Sequence, residues 1–347
     1  MSANIPIGKL KFSVFGRGYD DLRGNSGDGM TSFMYSCDYA AFDKTGSYLW
    51  VVTKQGDLAD QKVRKIDTAT WQEVSHPWEN MDVHSSSTAG MLAYVESADS
   101  NLGIMVLDDG THSVVFDLTT DEVYCTVSGN LWTMQNGYYL HATEKEGIVR
   151  IIGATMDNSM TNAPFATIDI ANESYALNSQ AGGWTINTFY NDTDIILANR
   201  HYGDRKATWG DRISNNASHS QIWWIADYID DVKMDSFASN DQLFFPTETA
   251  ANLWQYGKYN VPPDITTPSP ITVFGLNANT LATPACYTRG RTWAAFRTTD
   301  NALVVTDFVN SGILYTGDSP SLTPIAMSDP LMVCAGSDGY TYLARYK

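Results

Sequence analysis

The sequence predicts an all-β fold, a single β-propeller. Three observations predict it. Helical periodicity is nearly absent, short strand-like runs recur along the whole chain, and an Asp-marked hairpin returns about every fifty residues.

No segment carries apolar residues at i, i+3, i+4 and i+7 over three turns. The apolar runs are short and rich in Val, Ile, Tyr, Trp and Phe: YLWVV (48–52), SVVFDL (113–118), GYYLHA (137–142), DIILAN (194–199), QIWWIA (221–226), ITVFGL (271–276), ALVVTD (302–307) and LMVCAG (331–336). Gly, Asn, Asp, Ser or Pro bound each one, the pattern of strands cut by turns.

The repeat has one form: an apolar strand, a polar turn, then a second short strand. It reads VRKIDTATWQEV (63–74), SVVFDLTTDEVYCTV (113–127), ATIDIANESYAL (166–177), IWWIADYIDDVKM (222–234), ITVFGLNANTLATP (271–284) and LVVTDFVNSGILYTG (303–317). The turn falls at Asp67, Asp117, Asp169, Asp227, Gly275 and Asp307. An Asp side chain there accepts backbone N–H groups about two residues on and fastens the hairpin between a blade's third and fourth strands. The preceding run is apolar on both faces because middle strands pack between neighbouring blades. A period of ~40–50 residues with four strands per unit marks a propeller. A β-sandwich with ordinary turns is the competing architecture, but it requires no such even spacing.

The termini complete the expected ring. The C-terminal DGYTYLARYK (338–347) reads as a hairpin and third strand without a fourth, and GKLKFSVFG (8–16) supplies a free strand. Pairing them removes an exposed sheet edge. Six repeats and one shared blade give seven blades; six is the competing count, because 240–290 is irregular. The expectation is one domain over 1–347, with polar or proline-rich insertions near 16–30, 200–220 and 257–270, where binding is to be sought.

The first unit also resembles a known repeat. DKTGSYLWVV (43–52) followed by VRKIDTATWQEV (63–74) is similar to a blade of YVTN-type propellers: a D-x-x-G turn precedes an aromatic and valine strand, and I-D-T-A-T closes the outer hairpin. The likeness covers about one blade and implies the fold. Some such propellers are lactonases, but no catalytic residue of theirs maps onto a position here.

Charged residues are 18% of the chain, and 39 acidic against 22 basic residues give a net charge of −17. That balance argues against nucleic acid and anionic membranes as partners. The start, MSANIPIGKLKF, has no apolar signal segment, and no run of about 18 apolar residues spans a bilayer. Cys37, Cys125, Cys286 and Cys334 stand far apart without a C-x-x-C pair, and are expected to be buried free thiols in a reducing compartment.

Catalytic motifs are missing: no G-x-S-x-G, Walker A loop or G-x-G-x-x-G occurs. Six histidines (His76, His84, His112, His141, His201 and His219) show no H-x-x-x-H spacing. His201 and His219 flank one insertion, which leaves a shared metal to weigh against ordinary solvated histidines. Asp20–Asp21, Asp108–Asp109 and Asp230–Asp231 are sequence neighbours, and residues i and i+1 of a strand face opposite ways. The last two pairs read as hairpin turns. Trp223 and Trp224 read as packed between blades, while Trp209, in the basic insertion, is the better surface candidate for stacking on a sugar.

No catalytic, cofactor or metal residue is therefore assigned, and no cofactor is expected. The expected role is a non-enzymatic structural or binding propeller, a bacteriophage virion component such as a tail, nozzle or adhesion protein, located in the virion. Its partners would be other virion or assembly proteins and a host surface glycan. A carbohydrate-binding or carbohydrate-cleaving propeller and an intracellular protein-interaction scaffold are the alternatives.

Overall fold

A computed structural model of the chain describes residues 13–15, 37–54, 61–84, 87–129, 139–154, 162–181, 184–190, 195–202, 205–214, 217, 219–228, 237–238, 242–250, 253–260, 271–272, 282–283, 285–308, 311–316, 320–339 and 341–346. They form four-stranded antiparallel sheets in a repeating meander, as the sequence predicts. Sheet 1 holds β2 (Tyr39–Phe42), β3 (Tyr48–Thr53), β4 (Lys62–Asp67) and β5 (Gln72–Val74). Sheet 2 holds β6 (Leu92–Tyr94), β7 (Leu102–Val106), β8 (His112–Asp117) and β9 (Val123–Ser128). Sheet 3 holds β10 (Tyr139–Lys145), β11 (Ile148–Ala154), β12 (Asn162–Asp169) and β13 (Ser174–Ala181). Sheet 4 holds β14 (Trp184–Tyr190), β15 (Ile195–Tyr202), β16 (Arg205–Ile213) and β17 (His219–Tyr228). Sheet 5 holds β18 (Phe237–Ala238), β19 (Gln242–Ala250), β20 (Leu253–Asn260) and β21 (Ile271–Thr272). Sheet 6 holds β22 (Cys286–Tyr287), β23 (Ala294–Arg297), β24 (Ala302–Thr306) and β25 (Ser311–Thr316). Sheet 7 is built from both ends of the chain: β26 (Leu322–Ser328), β27 (Leu331–Gly336), β28 (Thr341–Arg345) and, outermost, β1 (Ser13–Phe15), with Val14 opposite Ala344.

The first strands of successive sheets face one another: β2 lies against β26 and β6, β6 against β10, β10 against β14, β14 against β18, and β22 against β26. Between sheets the contact is apolar. Trp50, Phe42, Phe116, Val333 and Leu343 belong to one buried cluster shared by sheets 7, 1 and 2. Ile104, Val115, Ala142 and Ile151 form the next, between sheets 2 and 3. Burial of each such side chain stabilises the fold by about 1.5–3 kcal/mol. Polar ties cross the same seams: the Trp50 indole N–H donates to the Leu118 carbonyl at 2.8 Å, and Arg150 Nε to that of Ile213 at 3.0 Å.

The turns follow their residues. In the D-x-x-G turn, Asp43 Oδ1 accepts the Tyr48 N–H at 2.9 Å, while Gly46 takes φ +71°, a conformation glycine adopts without a side-chain penalty. Asp67 Oδ1 accepts the Ala69 and Thr70 N–H groups, Asp117 Oδ1 those of Thr119 and Thr120, and Asp169 Oδ1 that of Asn172. These three, and Asp307 after β24, sit between third and fourth strands as expected. Asp227 does not: it lies inside β17, the fourth strand, so QIWWIA is an outer strand and not a third one. Gly275 lies outside the described residues.

The described residues of 200–220 are mostly strand and not a loop insertion: 200–202 end β15, 205–213 are β16 and 219–220 begin β17, with Trp209 paired to Ala198 on one side and to Trp224 of the outer strand on the other. Residues 257–260 close β20. The insertion at 16–30, the segment 261–270, and the pairs Asp20–Asp21 and Asp230–Asp231 lie outside the described residues. All four cysteines are free and buried.

Candidate functional site

Three buried titratable side chains, Glu96, His141 and Arg291, meet where the first strands end. Val95 continues β6 and bridges Ala142 of β10, and the Glu96 N–H donates to the Ala142 carbonyl at 2.7 Å. That pairing sets the Glu96 carboxylate beside His141, one residue earlier on β10. The third member arrives from sheet 6. After β22 the chain makes a tight 3-10 turn, Arg289–Arg291, whose Gly290 N–H donates to the Glu96 carbonyl at 2.8 Å. Gly290 holds φ +69° and Arg291 φ +51°. An arginine in that left-handed region is uncommon, and the contacts of its guanidinium hold it there.

Those contacts are internal. Arg291 donates through Nε and Nη2 to Glu96 Oε2 at 3.0 and 2.5 Å, and through Nη1 to the Phe189 carbonyl of β14. Its guanidinium stacks 4.4 Å from the centre of the Tyr287 ring. His141 Nδ1 donates to Glu96 Oε1 at 2.5 Å. Arg289 donates to the carbonyls of Val95 and, at 2.8 Å, of Phe42 at the end of β2. The Tyr94 hydroxyl donates to the Tyr287 carbonyl. One turn of sheet 6 thus bonds to the first strands of sheets 1, 2 and 4, and reaches sheet 3 through Glu96 and His141.

Glu96, His141 and Arg291 are 1%, 3% and 1% exposed. Burial alone would push the Glu96 carboxyl up, but the charges of Arg291 and His141 outweigh it and hold it below its ordinary value. Burial pushes the Cys286 thiol up to about 12 and lowers Arg289 to about 10. It also raises the Tyr94 phenol well above its ordinary value, with Cys286 and Glu96 adding to the effect. A carboxylate holding an imidazole by Nδ1 is an arrangement that general bases use. Here the other nitrogen, Nε2, is itself buried and has no hydrogen-bond partner among the described residues. The cluster joins sheets; it does not present a base to solvent.

Other expected sites resolve differently. His201 pairs with Lys206 at one end of β16 and His219 with Ile213 at the other. The two positions are about 23 Å apart along an extended strand, so one metal ion cannot join them. Among the described residues no group of three His, Cys, Asp or Glu side chains could hold a metal. Asp108–Asp109 is a hairpin turn, as read: Asp109 Oδ1 accepts the Thr111 and His112 N–H groups at 2.8 and 2.9 Å. The Asp109 carboxyl is held well below its ordinary value, first by those backbone bonds. His112 Nδ1 bonds Asp109 Oδ2 in the same turn. Trp71, Trp78 and Trp293 are half-buried against the core and Trp50 is buried, so none of them offers an open face to a sugar.

Sequence reasoning missed Glu96, Arg289 and Arg291. The available signal was RGR at 289–291 in a chain with few charges, and a lone acid ending the apolar run MLAYV (91–95). Their meeting is set by sheet order, which local pattern does not carry.

No protein-family model matches the chain, and no curated protein does. Among solved structures it is similar to the β-propeller domain of Cps50 (Swd1) from Myceliophteria thermophila, with 10% identity over 90% of this chain and 96% of that one, at a TM-score of 0.52. It is similar to the β-propeller domain of the trilobed protease of Pyrococcus furiosus, with 9% identity, 90% and 93% coverage and a TM-score of 0.52. A chain of a mitotic checkpoint complex matches 99% of it with 96% of its own length, at 9% identity and a TM-score of 0.54. No helix among the described residues is long and apolar enough to cross a membrane. What these likenesses and the four-stranded sheets share is a fold, and the chain is a β-propeller.

Proposed function

We propose that the chain is a non-enzymatic propeller that acts by binding other proteins. The observation that carries this reading is the sealed cluster at the ends of the first strands. A propeller enzyme or sugar binder needs convergent polar groups facing a cleft. Here Arg289, Arg291, Glu96 and Tyr94 direct theirs at carbonyls and at each other, which leaves the exposed loops and outer strands for recognition. The neighbours agree at the level of fold: one of them comes, by its name, from a multi-protein complex. Fold does not fix function, so the interaction must be measured.

The test is cross-linking of the tagged full-length chain in the cells that encode it, followed by mass spectrometry. We expect a partner in stoichiometric amount; a chain that elutes alone as a monomer overturns the reading. A place in a bacteriophage particle is the finer form of it, supported by the sequence alone through low charge and Asn/Thr/Ser-rich strands. Mass spectrometry of purified particles tests that form, and absence of the chain rejects it.

A further inference from the structure

The turn before β8 leaves one carboxylate oxygen to spare. The Leu107 N–H donates to the His112 carbonyl at 2.9 Å and the Gly110 N–H to that of Leu107 at 3.0 Å, which closes a tight hairpin. Asp109 uses Oδ1 on the backbone, accepting the Thr111 and His112 N–H groups at 2.8 and 2.9 Å. A carboxylate held that way has its second oxygen fixed in direction. Oδ2 takes the His112 imidazole by Nδ1, and Thr111 Oγ1 lies 3.1 Å from the same nitrogen.

The sheet supplies a third group. β8 and β9 run antiparallel, with His112 directly opposite Ser128. Opposed residues hold their Cβ atoms about 4.5–5.5 Å apart on one face of the sheet. Ser128 Oγ thereby reaches His112 Nε2, at 3.1 Å. A turn and two neighbouring strands line up a carboxylate, an imidazole and a hydroxyl.

Charge decides which way the protons point. The backbone bonds, that from Thr111 first, hold the Asp109 carboxyl well below its ordinary value, so it is ionised and can only accept. Nδ1 must then donate to it. In the neutral ring Nε2 is left with the lone pair, and the Ser128 hydroxyl donates there. An imidazole so placed takes the proton of a serine that attacks, and these three roles recur on unrelated folds, recognised by geometry. Access separates this group from the sealed cluster. The His112 and Asp109 side chains are 41% and 45% exposed and Ser128 is exposed, whereas His141 keeps Nε2 buried.

We infer that Ser128 is an acylation site, which takes one acyl group from an activated donor such as an aryl ester, a thioester or an acyl phosphate. His112 is the base and Asp109 the positioning residue. Ser128 Oγ attacks the carbonyl carbon and forms a C–O bond, while the bond to the leaving group breaks and its electron pair departs with that group. His112 Nε2 takes the hydroxyl proton and hands it to the leaving group, so the imidazole ends neutral. The donor must be activated because the help comes from a base on an open strand, and a poor leaving group would need donors preorganised around the oxyanion. The acyl-serine formed has a poor alkoxide leaving group, so it persists and the event is stoichiometric. One transfer per chain is a modification; it is independent of the protein-binding reading.

The test treats the full chain with p-nitrophenyl acetate and follows p-nitrophenolate release and peptide mass spectra. We expect a burst of about one p-nitrophenolate per chain, with the acetyl group on Ser128. A positioned base contributes about 10²–10⁴-fold, so His112→Gln should slow acetylation of Ser128 by at least about a hundredfold. Asp109→Asn still accepts the turn's N–H groups, but its amide donates to Nδ1 and moves the ring proton to Nε2. It should slow acetylation to a similar degree with an unchanged melting temperature. Proton–nitrogen NMR gives a readout that a merely structural role would not move: His112 should carry its proton on Nδ1 in the parent and on Nε2 in Asp109→Asn. Acetylation of Ser128 no faster than that of other exposed serines, or equally fast in His112→Gln, overturns the proposal. So does an Nε2–H tautomer of His112 in the parent. The burst and the cross-linked partner are separate measurements, so either reading can fail alone.

Discussion

Arg291 is the residue on which the sealed cluster turns. Its side chain is fully buried, and it neutralises a carboxylate that has no access to water. Replacing it with methionine keeps the bulk and leaves Glu96 charged beside a histidine alone. Breaking a buried pair from one side costs about 3–5 kcal/mol, so the urea midpoint of Arg291→Met should fall by that equivalent. Adding Glu96→Gln removes the stranded charge and should recover part of the loss. A single variant as stable as the parent would mean that the cluster joins nothing. Residue-scale reading of the sequence worked where the chemistry is local. Asp67, Asp117 and Asp169 fasten turns because each bonds N–H groups two or three residues away. It failed at Asp227, where sheet 4 uses long polar strands such as RKATWGDRI, and an outer strand was mistaken for a third one. It was blind to Arg289 and Arg291, whose partners lie more than 100 residues away in sequence.

At the scale of elements, β1 is the telling strand. Three residues pair with β28, and through them the two ends of the chain share one sheet. The pairing was legible because each terminus, read alone, is an incomplete hairpin set. The reading of 200–220 as an insertion was not, since polar, basic residues say little about pairing when a strand's side chains do not alternate cleanly. We predict that deleting residues 1–16 exposes the edge of β28 and lowers the melting temperature or makes the chain self-associate. Size-exclusion chromatography and a thermal melt decide it. A truncated chain that stays monomeric with an unchanged melting temperature would show that β1 does not close the ring.

At the scale of the whole molecule all four thiols are buried, and that sets its response to alkali. Burial pushes Cys37 and Cys286 up to about 12 and Cys125 to about 11, and holds Cys334 well above its ordinary value. A group whose folded value exceeds its unfolded one contributes stability that is complete below the unfolded value, near 9 for a thiol. That contribution is lost as pH rises through the folded value. Lys54, lowered by burial to about 8, and Arg289, lowered to about 10, act in the opposite sense, but four thiols outnumber them. The melting temperature should therefore fall between pH 8.5 and 10.5, and a rise over that window would contradict the burial described. The fold was legible at this scale because a fifty-residue period is a global signal. Function was not, because the described buried charges bond to one another and to backbone carbonyls across sheets, and no catalytic or binding motif marks the sequence.

Cross-linking mass spectrometry of the full chain in its own cells tests the proposed protein binding most directly. We expect a stoichiometric partner whose cross-links fall on exposed loops and outer strands. A chain recovered alone, as a monomer, would contradict it.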